Sequence, residues 1–227
     1  MEPTPYTLIG TQFSTFTRTV AMGVRYKGLK YNQASTPPSS AVAFEHHPFG
    51  FLPTLIIHED QGKRVDVKLR ESQAIVRFID RIAPSPSLHI APGEGGAVIE
   101  EKMWELVSLA ACFGYPIVEV GVVKPRVKAM DEGKLSEEEI RQQIEGGVVK
   151  LKEFLTLVES LMSPDGFAFG EHPSWADFFL FPLMADLRAL HEWKIVDRRL
   201  NDWMGKMDEL PAVKETTLGT LAVGARP

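Results

Sequence analysis

Cysteine is nearly absent. Cys112 is the only one in 227 residues, which excludes an internal disulfide framework and a thiolate-based zinc site. Positive charge is scarce as well: 25 Lys and Arg stand against 30 Asp and Glu, for a net charge of −5. No broad positive field therefore exists to attract nucleic acid or an acidic membrane. The longest apolar runs read as far short of a spanning helix, and the N-terminus lacks a basic segment leading into an apolar one. The 6 histidines are scattered, and His46 and His47, adjacent in a strand or loop, point apart, so no metal site is expected. No phosphate-cradling loop is expected either, since Gly93, Gly95 and Gly96 follow no strand. These absences predict a cytoplasmic protein without nucleic-acid, membrane or metal partners.

What remains is of globular composition, with 44% apolar and 24% charged residues and length enough for one large domain or two small ones. Cys112 lies in Leu109-Ala110-Ala111-Cys112-Phe113, an apolar stretch of an expected helix. It reads as a small buried hydrophobe, since no polarising neighbour is adjacent in sequence.

The first part of the chain alternates between strand and helix patterns. Tyr6 to Ile9 reads as a strand, Thr15 to Gly28 as a helix and Leu29 to Gln33 as a second strand. Thr54 to Ile57 and Val65 to Leu69 flank the turn-rich Glu59-Asp60-Gln61-Gly62 and predict a hairpin. Ser72 then caps a helix, with Ile75, Phe78, Ile79 and Ile82 at the helical period. Proline and glycine punctuate residues 84–96, where the linker is expected. Almost everything beyond reads as helical. One helix carries Ile99, Met103, Leu106, Val107 and Ala110 on a face. Ser136 and Glu139 form a capping box that opens another, with Ile140, Ile144, Val148, Leu151, Leu155 and Val158 inward. Ser174 and Asp177 have the spacing of a reciprocal cap, a signal of fold to which no catalytic role is given.

Two segments carry chemistry. Phe49-Gly50-Phe51-Leu52-Pro53-Thr54-Leu55 places a proline at the entry to an apolar run, where a cis Leu52–Pro53 bond would leave the backbone of Leu52 free to pair with another backbone. Arg70-Glu71-Ser72-Gln73-Ala74-Ile75 opens a helix with a carboxylate, a hydroxyl and free N–H groups, which suit an amino-acid head group. Together they describe a site for a small zwitterionic peptide. Taken alone, Ser14, Glu71 and Ser72 equally read as helix caps.

These segments, with Phe13-Ser14-Thr15-Phe16-Thr17-Arg18-Thr19-Val20 upstream and Pro173-Ser174-Trp175-Ala176-Asp177 downstream, resemble the glutathione transferase family in order and spacing over nearly the whole chain. The resemblance implies an α/β plus all-α fold. A thioredoxin-like βαβ-ββα domain spans residues 1–83, a linker 84–96 and an all-helical domain 97–227. It also implies glutathione as co-substrate, a homodimer and a small hydrophobic electrophile as second substrate. Ser14 becomes the catalytic hydroxyl of a Ser-type member, with Thr11, Thr15 and Thr17 as neighbouring alternatives. Leu52 takes the cysteinyl unit by its backbone, set by Pro53; Glu71 takes the γ-glutamyl amine and Ser72 its α-carboxylate.

Some positions depart from the family pattern. Members often carry Lys or Gln two residues before the proline to bind the glycyl end, and here that position is Phe51; His46, His47, Lys68 and Arg70 are candidate replacements. Tyr6 begins its strand, whereas tyrosine-type members place theirs after it. No cysteine stands at Ser14, which weakens a thiol-exchange reading, and Phe16 replaces the cysteine of the isomerases' Ser-Ser-Cys string. The electrophile pocket is expected between the domains, with Phe13 and Phe16 from one side and Trp104, Phe113 and Tyr115 from the other, Tyr115 offering a hydroxyl to developing charge. The alternatives are a non-catalytic binding or interaction module of this fold and a glutathione-dependent isomerase or peroxidase. An apolar key for dimerisation is expected at Phe44 or Phe49.

Overall fold

A computed structural model describes residues 4–90 and 100–226. The described residues divide into two compact units, one drawn from Met1–Leu88 and Glu209–Pro227 and the other from His89–Asp208. Residues 91–96 of the expected linker, and Ile99 of the expected helix face, lie outside the described residues.

In the first unit the order is β1 (Tyr6–Ile9), α1 (Thr15–Tyr26), β2 (Asn32–Ala34), α2 (Ala41–His46), β3 (Thr54–Asp60), β4 (Lys63–Arg70) and α3 (Ser72–Ile82). This is the expected βαβ-ββα arrangement with one short helix, α2, added before β3. The sheet runs β2-β1-β3-β4, with β1 parallel to β2 and antiparallel to β3, and β3 antiparallel to β4. Alternation along β1 and β3 buries Leu8, Leu55 and Ile57, while α1 buries Val20 and Val24 and α3 buries Ile75 and Ile79. The two helices pack against each other and against the strands.

Two sequence expectations shift. The hairpin strands extend through Glu59 and Asp60, and the turn tightens to Gln61 and Gly62, both at positive φ (51° and 73°). A two-residue turn of that hand matches the twist of antiparallel strands better than a four-residue loop. The second strand starts at Asn32 rather than Leu29, because Gly28 at φ 67° and the Leu29 N–H on the Val24 carbonyl still belong to the exit from α1.

The second unit contains α4 (Glu100–Leu109), a π-helix (Ala110–Val123), α5 (Lys124–Glu132), α6 (Glu137–Leu161), α7 (Trp175–Arg188) and most of α8 (Arg198–Glu209); α9 (Pro211–Lys214) belongs to the first unit. Ser136 and Glu139 form the expected capping box, and α6 buries Ile140, Ile144, Leu151, Phe154, Leu155 and Val158, leaving Val148 half-buried. Every residue of α7 from Trp175 to Leu187 is buried, which makes it the axis of the unit.

The π-helix overturns two expectations. Cys112 is exposed, because the buried positions are Ala110, Gly114, Val118, Glu119, Val122 and Val123, a phase that a 3.6-residue period does not reproduce. The continuous helical run Glu100–Glu132, 33 residues, is also long and apolar enough to cross a membrane by length and composition. The π-helix packs against α6 and α7 with Glu119 buried in it, and 44% of the apolar window is buried.

Candidate functional site

Strand register brings the candidate segments to one end of the sheet. Thr54 pairs with Ile9 on one side and with Arg70 on the other. The loop to Ser14 leaves β1 at Ile9, Leu52 and Pro53 lead into β3 at Thr54, and Glu71 and Ser72 leave β4 at Arg70. Three segments distant in sequence therefore share one end of the sheet.

Ser14 is the N-cap residue of α1, with extended backbone (φ −76°, ψ 120°), and its carbonyl accepts from the Arg18 N–H at 2.9 Å. Its side chain makes no capping hydrogen bond, so the hydroxyl is left for another acceptor at a helix N-terminus. The neighbouring hydroxyls are placed differently. Thr15 and Thr17 are buried, and the Thr11 Oγ1 accepts from the Phe13 N–H at 3.4 Å. Gly10 makes the approach possible: it sits at φ 148°, and a Cβ there would overlap the Thr17 hydroxyl. Buried Arg18, one turn into α1, donates to the Thr217 hydroxyl at 3.2 Å.

The Leu52–Pro53 bond is cis, as the sequence predicts. Among the described residues nothing pairs with the Leu52 backbone N–H or C=O. Glu71 is the N-cap residue of α3 at φ 65° and ψ 117°, a conformation that costs a non-glycine residue about 1–3 kcal/mol. Its carbonyl accepts from the Ala74 and Ile75 N–H groups, but its side chain does not cap the helix. Ser72, expected as the cap, is instead the first residue of α3, partly exposed, because Glu71 takes the non-helical position before it.

Of the four residues considered beside Phe51, three are occupied elsewhere. Lys68 Nζ donates to the Glu45 carbonyl at 2.9 Å and Arg70 Nε to the His46 carbonyl at 2.8 Å, so both cations complement the C-terminal end of α2. Buried His47 places Nε2 3.4 Å from the Glu71 carboxylate. Burial, then the charges of Lys68 and Arg70 against that of Glu45, holds the His46 imidazole below its usual range. Phe51 itself is 61% exposed. The His47–Glu71 contact and helix α2 were missed from sequence; Ser40, whose hydroxyl accepts from the Ala43 N–H, was the available signal for the helix.

The aromatic candidates fall in both units. In the first, Phe13 and Phe16 are half-buried. In the second, Trp104 meets the His89 ring edge-on at 6.2 Å, Phe113 is 60% exposed, and the Tyr115 hydroxyl accepts from Lys124 Nζ at 2.7 Å. Among the described residues no group of three or more His, Cys, Asp or Glu side chains is arranged to hold a metal ion.

The family model described as the glutathione S-transferase N-terminal domain matches residues 8–87, and that of the C-terminal domain matches residues 141–206. Solved structures give the same picture. A glutathione transferase from Populus trichocarpa is 20% identical over 93% of this chain and 97% of its own, with a TM-score of 0.73. A glutathione S-transferase from Rhodospirillum rubrum is 17% identical over 98% and 96%, at 0.75. A glutathione transferase from Phanerochaete chrysosporium, solved with oxidized glutathione, is 16% identical over 95% and 94%, at 0.70. At these identities the likeness speaks for the fold. No curated relative matches the chain in sequence.

Proposed function

The chain belongs to the glutathione S-transferase family, and from that premise we propose that it transfers the thiolate of glutathione to small apolar electrophiles, with the Ser14 hydroxyl as the hydrogen-bond donor to that thiolate. The observation that carries this reading is the Ser14 hydroxyl, at the N-terminus of α1 yet not used as its cap. A free thiol has a pKa near ~8.5, and lowering it by roughly 1–2 units takes about 1.4–2.7 kcal/mol. One hydrogen bond from a hydroxyl to the sulfur, with the field of a helix N-terminus, is of that size. The glutathione proton passes to solvent, the sulfur forms the new bond to the electrophile, and the electrophile's leaving group departs with its electron pair.

In this reading the Leu52 backbone pairs with the cysteinyl unit, the Glu71 carboxylate meets the γ-glutamyl ammonium, and Ser72 with the α3 N-terminus takes the α-carboxylate. Phe13 and Phe16 in the first unit, and Trp104, Phe113 and Tyr115 in the second, are the candidates for apolar surface towards the electrophile. The working form is a cytoplasmic homodimer, a reading supported by exposed Phe44 and Phe49; sedimentation at micromolar protein tests it, and a monomer overturns it.

Ultraviolet absorbance of bound glutathione, titrated with pH, tests the chemistry. The thiolate band should appear below the pH at which free glutathione ionises. Ser14→Ala should return it towards the free value and lower turnover roughly 10- to 100-fold, with little change in glutathione affinity. Unchanged turnover would transfer the donor role to a neighbouring threonine. Absence of both a thiolate band and turnover would favour the non-catalytic module, for which exposed Phe51 in place of the family's Lys or Gln is the supporting feature.

A further inference from the structure

We propose that His47 is a positioning residue for the ligand-binding carboxylate, holding Glu71 ready for the ammonium group of glutathione; this rests on the reading of Glu71 just given. His47 closes α2, and its backbone is tied at both ends: its N–H donates to the Ala43 carbonyl at 2.8 Å and its carbonyl accepts from the Gly50 N–H at 2.9 Å. Its ring is equally constrained. The Phe49 N–H donates to Nδ1 at 3.2 Å, while the Phe49 and Phe51 rings lie 6.0 and 5.6 Å from the imidazole centroid.

That hydrogen-bond pattern assigns the tautomer. Nδ1 is the acceptor, so the ring proton sits on Nε2, and Nε2 faces the Glu71 Oε1 at 3.4 Å. The pair is unequal: the His47 side chain is 4% exposed and that of Glu71 is 77% exposed. A fixed donor thus restrains a carboxylate that would otherwise sample many rotamers, and binding then loses less freedom. The two residues are brought together by β4. Lys68 and Arg70, just before Glu71, clamp the carbonyls of Glu45 and His46, just before His47. The exposed carboxylate is left with one oxygen towards His47 and the other open to a cation.

Calorimetric titration of the full chain with glutathione tests this. His47→Leu should weaken binding roughly fivefold to tenfold, and His47→Gln, which can place an amide N–H near the Nε2 position, should recover most of the loss. In a Glu71→Ala background His47→Leu should add less than twofold, because the group it acts through is gone. Full additivity of the two losses overturns the proposal while leaving Glu71 in the site. No effect of Glu71→Ala alone sinks the site reading and the proposal with it. Long-range proton–nitrogen spectra of the unmutated protein give an independent readout that needs no variant to fold. They should show Nε2 protonated and Nδ1 bare, and the reverse tautomer overturns the proposal.

Discussion

Glu119 of the π-helix and Asp186 of α7 hydrogen-bond to each other, carboxyl to carboxyl, inside the second unit. Two carboxyls can share a hydrogen bond only when one of them carries a proton. Burial first, and then the Asp186 charge, holds the Glu119 carboxyl well above its usual range, against the opposing pull of Lys124.

The sign of the resulting pH dependence follows from proton binding. The folded chain keeps the Glu119 proton at pH values where the unfolded chain has released it, so Glu119 costs nothing below about pH 4.3, the ordinary glutamate value. Its cost grows as the pH rises towards the folded value. Glu119→Gln removes that cost while its amide can still donate to Asp186. It should raise stability by ~1–2 kcal/mol at pH 7 and by progressively less towards pH 4. Urea melts at several pH values measure this, and an equal gain at every pH would refute it.

Gly10→Ala tests the turn that delivers Ser14. The alanine must hold φ 148°, and its Cβ would overlap the Thr17 hydroxyl and methyl. A loss of about 2 kcal/mol or more is expected, with a fall in turnover because the loop to Ser14 shifts. Thr17→Ala in the same chain removes the overlapping atoms but not the backbone strain. The double variant should therefore recover part of the stability, and thermal melts of the four chains decide it.

The readable parts of the fold were those set by local chemistry. The capping residues Ser136 and Glu139 both announced themselves in order and spacing, as did the cis-proline strand entry at Leu52 and Pro53. Contacts made across long sequence separations were not legible. His47 meets Glu71 across 24 residues, and Arg25 pairs with Glu215 at 2.8 Å across 190, in the segment that joins the first unit. Such contacts depend on strand register and on packing, which no short string encodes. The exposure of Cys112 escaped for another reason: an α-helical period assigns the wrong face when the backbone winds as a π-helix. For the candidate site, residue types at Ser14, Glu71 and Ser72 were visible, whereas their arrival at one end of the sheet needed the pairing of Thr54 with both Ile9 and Arg70.

Asp177 carries more than a helix cap. Its carboxylate accepts from the Ser174 N–H at 2.7 Å and the Ser174 hydroxyl at 2.8 Å, as a capping residue does. It also accepts from the Ala168 N–H at 2.7 Å and from the indole N–H of Trp203 at 2.8 Å, joining the preceding loop and α8 to the start of α7. Burial pushes its carboxyl up, and these donors pull it back, the Ser174 N–H most and its hydroxyl least. Removing the carboxylate would strand several buried donors at about 1–3 kcal/mol each. Asp177→Ala should therefore cost well over ~3 kcal/mol, and Asp177→Asn nearly as much, since its amide would turn a donor towards donors. Ser174→Ala loses the cap alone and should cost about 1 kcal/mol. Equal losses for the two positions in urea unfolding would reduce Asp177 to a cap. A large gap would identify it as the junction on which the second unit is built.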